Sequence, residues 1–395
     1  MIFPWLPFCR MLLIGSILQW GVIAPCFATS ARLSSSASVS LLTCAPGSET
    51  YALFGHSALR ITDPLLGLDQ VYNYGTFDFQ TTHFYWRFLR ADLRYSLSAV
   101  PFRSFCQGYK QEGRGVQEHL LTLTPAEVQR VYVCLETTLH SPARYYQYQF
   151  FADNCSTRLF ALLENNLATP WHLDSSRLAT TATYRQLLAP YLTAAPWVKL
   201  GMNVGLGLPT DQPTVFRQRL FLPLELQQAL AWATRQGRPL VAQQRQLLQS
   251  SPSPAQPVGI SPIILLLSWT GASLVIWRWP SCPTWLSRLN RRVLFGVVGL
   301  LGCLLTGLSL GSLHVPVHTN YQVLWLLPSH LVLALSSTRP WWRYYRAGSL
   351  ALLLLGGVLA TALRYWLLLP EMALLLALLM GHLLLLPLTK PVTGN

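Results

Sequence analysis

"FFADNCSTRLFALLENN" (150–166) sets Cys155 between a short polar cluster and the first turn of a stretch whose apolar residues recur at helical spacing. If that stretch is a helix, the thiol stands at its head. Three roles are then open to Cys155: a structural thiol, one half of a disulfide, or a nucleophile. The choice turns on the compartment, on a histidine partner elsewhere, and on why the second half of the chain is so apolar.

The 395 residues are 51% hydrophobic and 11% charged, too apolar and too charge-poor for an ordinary soluble protein. Nearly all the acidic residues fall between 30 and 255, whereas 260–388 is a series of long apolar runs. A polar domain therefore precedes a membrane domain. Residues 1–29 carry Arg10, an apolar stretch and then small residues near Ala28, as a secretory signal peptide does; an uncleaved anchor is the alternative. A "IAPC" sequence ending at Cys26 hints at a lipoprotein cleavage box, but the proline before the cysteine argues against it.

The expected layout is an exported domain over 30–249, a linker over 250–259 containing "SSPSPAQP", a membrane domain over 260–388 and a cytoplasmic tail over 389–395. Five stretches suit transmembrane helices of about 20 residues: 260–279, 293–313, 321–337, 347–366 and 372–387. With the polar domain outside, the loops facing inward carry Arg288, Arg291, Arg292, Arg339, Arg343 and Arg346, while "GSLHVPVHTN" and "LLPE" on the opposite side carry no Lys or Arg. The formal charge of +14 then reflects topology and contact with anionic lipid, with no nucleic-acid motif to claim it.

In the exported domain "SVSLLTCAPG", "HSALRITDP", "QVYNYG" and "VQEHLLTLT" read as short strands bounded by Gly, Pro and Asp. "TPAEVQRVYVCLETTLH" opens a helix with Thr124 as cap and Glu127 three residues on. "NCSTRLFALLENNL" and the whole of "LPLELQQALAWATRQGRPLVAQQRQLLQ" also read as helical. The fold class is α+β, one domain, followed by all-α membrane structure.

Cys44, Cys106, Cys134 and Cys155 would allow two disulfides in an oxidising compartment, in any of three pairings. Against this for Cys155, the head of a helix stabilises a thiolate, because its backbone N–H groups and dipole favour negative charge. A thiolate also needs an imidazole, and "YALFGHSALRI" supplies His56 at the start of a strand. Ser57 and Ser156 lack any G-x-S-x-G context, and His56, His83 and Cys155 have no metal-site spacing.

"APGSETYALFGHSALRITDP", "VYNYGTFDF" and "FFADNCSTRL", in this order, resemble the periplasmic domain of the Bacteroidota-type lipoprotein N-acyltransferase (Lnb) family, and "HTNYQVLWLLPSHL" resembles its membrane portion. That family looks like a circularly permuted papain-type (NlpC-type) thiol fold, similar to lecithin:retinol acyltransferases. The resemblance implies Cys155 as nucleophile, His56 as base and Asn73 as the residue orienting the imidazole, with Tyr74 and Asp78 as fallbacks because a one-residue register error exchanges strand faces.

A five-span anchor favours a lipid substrate, since an enzyme taking an acyl chain from phospholipid works at the bilayer surface. Tyr74, Arg60, Arg158, His318 and Asn320 are candidate substrate contacts, the last two beside His314 and Trp325 in a loop expected on the thiol domain's side. For the arginines the alternative is ordinary ion pairing, and for the loop an interfacial cap. Arg364, near the outer end of the fourth span, is expected to meet Glu371 or a lipid phosphate, or to snorkel to the interface. The implied reaction moves an acyl chain from a phospholipid donor, through a Cys155 thioester, to the α-amine of a diacylglyceryl-cysteine lipoprotein, with no cofactor, metal or nucleic acid. A membrane-bound thiol hydrolase (phospholipase or cell-wall amidase) and a disulfide-stapled scaffold are the alternatives.

Overall fold

The computed structural model describes residues 31–168, 171–174, 182–251, 259–335, 342–362 and 370–385. The signal or anchor segment, most of the Ser/Pro linker, Arg364 and the tail lie outside the described residues.

The exported region is built on a seven-stranded antiparallel sheet of order β6-β4-β3-β2-β1-β5-β9. Its first strands are β1 (Ser38–Cys44), β2 (His56–Asp63) and β3 (Leu68–Thr76). The short helix α1 (Phe84–Leu89) leads to β4 (Arg94–Pro101), and α2 (Phe102–Gln111) to β5 (Val116–Leu121). Helix α3 (Pro125–Leu139), strand β6 (Tyr145–Gln147) and helix α4 (Cys155–Asn166) follow. After α5 (Tyr184–Leu188), α6 (Pro196–Gly205) and α7 (Phe216–Arg219) come α8 (Pro223–Trp232), the small hairpin β7 (Thr234–Arg235) and β8 (Arg238–Pro239), and the edge strand β9 (Val241–Leu248).

Both faces of the central strands are covered, which is why β1 is buried at every position after Ser38 rather than at alternate ones. Leu41, Leu59 and Tyr72 pack with Val131 and Leu135 of α3, Leu159 and Leu163 of α4, and Leu226 and Leu230 of α8. Each fully buried leucine of this layer contributes roughly 1.5–3 kcal/mol. On the other face Leu42, Ala58 and Val71 pack with Phe105 of α2.

Helix α3 starts as its sequence requires: the Thr124 hydroxyl accepts from the Glu127 N–H, and the Glu127 carboxylate accepts from the Thr124 N–H. The same buried carboxylate also accepts from Arg235 at 2.8 Å and from the Ala168 N–H at 3.0 Å, tying helix, hairpin and the end of α4 together.

Two sequence expectations need correction. The stretch expected to be helical up to residue 249 is helical only to Trp232. Gln236 and Gly237 then take positive φ to turn the chain, and "VAQQRQLL" pairs antiparallel with β5, so tertiary pairing overrides an ambiguous polar pattern. The third expected span, 321–337, is not one helix. A 3-10 turn (Tyr321–Leu324) closed by Asn320 and Gln322 side chains is followed by Pro328 and a short helix α11 (His330–Leu335). Proline lacks the N–H that a continuous helix would use.

The other helices of the C-terminal region are α9 (Pro262–Arg278), α10 (Thr284–Gly311), α12 (Trp342–Ala362) and α13 (Pro370–Leu385). Phe295, Val298, Leu326 and Leu379 lie at the centre of their packing. Among the described residues α10 is the one helix both long and apolar enough by itself to cross a bilayer; α9 and α13 are apolar but shorter.

Candidate active site

The head of α4 is fixed by Asn154. Its Oδ1 accepts from the N–H groups of Ser156 and Thr157 at 2.9 and 3.0 Å, its own N–H donates to Thr157 Oγ1 at 2.8 Å, and its Nδ2 donates to the carbonyls of Phe150 and Phe221, both at 2.8 Å. Every polar atom of this buried side chain is used, so the first turn cannot drift relative to the Phe221 segment. Cys155 follows as the first helical residue, 8% exposed, and the cap leaves its own N–H unclaimed.

His56 is placed by the adjoining turn. Gly55 has φ of +79°, and a Cβ there would meet the Cys44 carbonyl at 2.7 Å, so glycine is required for the chain to enter β2 opposite Cys44. His56 Nε2 lies 3.2 Å from Asn73 Oδ1. That oxygen only accepts, so Nε2 carries the proton and Nδ1 is the nitrogen left for the thiol. The Asn73 amide is held the right way round by donation from Nδ2 to the Val71 carbonyl at 3.4 Å.

Burial by itself pushes the Cys155 thiol up, but the charge of His56, a hydrogen bond with its ring, the Ser57 N–H and the Ser156 hydroxyl together outweigh burial and bring it below the ordinary thiol value. Cys44, by contrast, is pushed up to about 12, because burial dominates there. Proximity to a sheet does not lower a thiol; the imidazole and the Ser57 and Ser156 groups do. Cys44, Cys106, Cys134 and Cys155 are all free thiols.

The remaining sequence candidates separate. Tyr74 and Arg158 come together around Tyr146: the Arg158 guanidinium stacks 3.5 Å from the centre of the Tyr146 ring and 5.6 Å from that of Tyr74, while Asp153 accepts from it at 2.6 and 2.7 Å. Arg60 is committed elsewhere, bridging Asp69 and Glu118 at 2.7 and 2.9 Å with its plane 3.4 Å over Phe102. His318 Nε2 donates to the Ser312 carbonyl at 2.8 Å, and Asn320 Nδ2 donates to the carbonyls of Val204 and Gly205 at 2.8 and 3.1 Å. The His318 bond closes the loop back onto the end of α10, and the Asn320 bonds join it to α6. Trp325, expected to line an entry site or to sit at the interface, is buried and donates to Gln322 Oε1 at 2.8 Å. Asp78 caps its own turn by accepting from the Gln80 N–H.

Sequence reading missed Asn154, although an asparagine three residues before a threonine at a helix start is a legible cap. It also set Ser57 and Ser156 aside. They hydrogen-bond to each other at 3.0 Å, and the Ser156 hydroxyl lies 3.9 Å from Cys155 Sγ. No sequence signal pairs residues 57 and 156; only the packing of α4 on β2 does.

The fold and site define a class: an antiparallel-sheet domain with a cysteine–histidine–asparagine cluster at a helix head, continued by a helical membrane domain. Two family models match the chain, the Lnb N-terminal periplasmic domain over residues 27–190 and the Lnb transmembrane domain over 250–390. The chain belongs to the Lnb family, with a periplasmic N-terminal domain and a transmembrane C-terminal domain. No curated protein and no solved structure matches it.

Proposed function

We propose that this chain is a lipoprotein N-acyltransferase, a multi-pass protein of the bacterial inner membrane whose periplasmic domain is a permuted papain-like thiol domain. The observation that carries the reading is the His56 ring held through Nε2 by Asn73 while Cys155, its thiol lowered, heads α4.

In the first step the Cys155 sulfur, its proton held on His56, attacks the ester carbonyl carbon of a membrane phospholipid. The negative charge that develops on the carbonyl oxygen is met by the free Cys155 N–H at the positive end of α4. The C–O bond breaks, the lysophospholipid oxygen takes the proton from His56, and the acyl group stays on sulfur as a thioester. In the second step the α-amine of a diacylglyceryl-cysteine attacks the thioester, His56 accepts its proton, and the thiolate leaves as the amide forms. The thioester conserves acyl reactivity, so the balance closes without nucleotide or metal.

Asn73 acts by fixing the tautomer: with Nε2–H spent on Oδ1, Nδ1 is the basic nitrogen in both steps. Tyr74 and Arg158 are wall residues, with the Arg158 charge matched by Asp153 so that it braces the Tyr74 and Tyr146 rings. Arg60, His318 and Asn320 have structural partners and take no part in the chemistry.

Mass spectrometry tests the reading. Protein incubated with phospholipid alone should gain one fatty-acyl mass on the peptide containing Cys155, removable by neutral hydroxylamine. A diacylglyceryl peptide with a free amine should discharge that adduct into N-acyl peptide faster than water does. Release as free fatty acid at one rate, with or without the peptide, would make the protein a hydrolase.

A further inference from the structure

The apolar part of α10 runs from Val293 to Gly311, and no charged residue interrupts the chain from there to Leu313. At about 1.5 Å per residue that length matches a hydrocarbon core of about 30 Å, so the outer boundary of the bilayer falls at Gly311–Leu313. The last turn of α1 is fastened to this point. Ser312 Oγ donates to the Leu89 carbonyl at 2.9 Å, the Leu313 N–H donates to the Arg90 carbonyl at 2.9 Å, and Arg90 Nε donates to the Gly311 carbonyl at 3.3 Å.

Helix α1 is also held in one attitude by its flanks. His83 before it and Ala91 after it both have φ of +57°, a conformation that non-glycine residues adopt at a cost and that persists only where the surroundings enforce it. What this attitude presents outward is apolar: Trp86 is 59% and Phe88 46% exposed, with Leu89 beside them. On the neighbouring end of the span Leu310 is 84% and Leu313 51% exposed. Exposed apolar side chains of this kind on α1, beside the exposed end of α10 and flanked by Arg87 and Arg90, mark an interaction surface.

From α1 a line of rings leads inward. Phe88 stacks on Phe84, Phe84 lies 5.8 Å from Phe77, Phe77 lies 5.3 Å from Tyr95, and Tyr95 stacks on Tyr148 at 4.4 Å. Tyr148 is near enough to Cys155 to feel charge on its sulfur.

We propose that α1 is an interfacial helix seated in the outer-facing leaflet of the phospholipid bilayer, with Trp86, Phe88 and Leu89 among the acyl chains, and that the ring line from Phe88 to Tyr148 is the route by which an acyl chain leaves the leaflet for Cys155. The first half is a statement about membrane contact and stands without the chemistry; the second rests on the acyltransferase reading. The aromatic residues suit the position because their rings prefer the headgroup boundary.

The test uses the full chain in vesicles of phosphatidylethanolamine and phosphatidylglycerol, with a photoreactive phenylalanine analogue in place of Trp86 or Phe88, or in place of exposed Gln243 on β9 as control. Irradiation should yield phospholipid adducts at 86 and 88 but not at 243, and equally so in a Cys155→Ala background. Absence of lipid adducts at 86 and 88, capture of protein there instead, or an equal yield at 243 would overturn the interfacial assignment. The Trp86→Ser, Phe88→Ser double variant should raise the KM for vesicle phospholipid about tenfold with kcat little changed, as expected for lost interfacial apolar contact; a fall in kcat alone would overturn the route. Lipid adducts at 86 without any Cys155 thioester would instead sink the acyltransferase reading and leave the membrane contact standing.

Discussion

Two polar regions of this chain look alike in sequence, and the structure uses them in opposite ways. Around Cys155, Asn154 and Asn73 spend their hydrogen bonds so that the thiol, the Cys155 N–H and one imidazole nitrogen are left over. In the loop 314–320 the polar side chains brace the fold instead: His318 is tied to Ser312, Asn320 to α6 and to the Gln322 N–H, and His314 to the Phe88 backbone. Both regions hold histidine and asparagine. What separates the two regions is which partners their polar atoms take, and composition does not reveal that.

The comparison breaks most visibly at the thiol. Cys155→Ala should lower thioester formation by about 10⁴-fold or more, His56→Ala by roughly 10²–10⁴-fold, and the double variant should be no worse than Cys155→Ala, because the two side chains act as a unit. Intact-protein mass after incubation with phospholipid reads all three. Full acylation of Cys155→Ala would place the nucleophile elsewhere.

The docking region should respond in stability instead. Gly207 donates its N–H to the Pro316 carbonyl at 2.7 Å, and a Cβ there would sit 2.1 Å from the His318 carbonyl oxygen, so backbone must move to admit one. Gly207→Ala should cost about 2 kcal/mol, the scale of overpacking in a well-packed site, seen as a lower melting temperature of the full chain. The Cys155 thiol should keep its reactivity toward a small alkylating agent.

That reagent also gives the pH test. The folded thiol lies below its ordinary value, so alkylation of the native protein should rise with pH through a midpoint below that of the same cysteine in the unfolded chain. Removing His56 removes the lowering influence that does most to oppose burial. In His56→Ala the midpoint should move upward, and alkylation at pH 7 should fall by about tenfold for each unit of that shift. An unmoved midpoint would mean that the helix head alone sets the thiol.

Much of the site was legible before the fold was known, for a physical reason. A helix cap, a strand bounded by glycine and proline, and a cysteine at a helix start are local features, and the sequence around Cys155, His56 and Thr124 carries them within a few residues. What stayed hidden depends on distant pairing. Strand β9 is strand only because β5 offers it an edge, so "VAQQRQLL" passed for helix. Arg60 is consumed by Glu118, 58 positions away, and Asn154 is braced by Phe221, 67 positions away. The third membrane segment is not one continuous helix, because Asn320 and Gln322 side chains close a turn where hydropathy alone sees an apolar run.

The smallest expected effect is the sharpest probe of the comparison. His318 was a candidate substrate contact by sequence, yet its Nε2–H is the group that reaches the Ser312 carbonyl, close to where Ser312 itself holds α1. A glutamine amide can make the same donation without an ionisable ring. His318→Gln should therefore keep acyl transfer within about twofold at every pH tested, whereas His318→Ala should lose about 1 kcal/mol of stability, the worth of one hydrogen bond. If His318→Gln lost tenfold in kcat with its melting temperature intact, the imidazole would be acting on substrate, and the loop would have to be counted as part of the site after all.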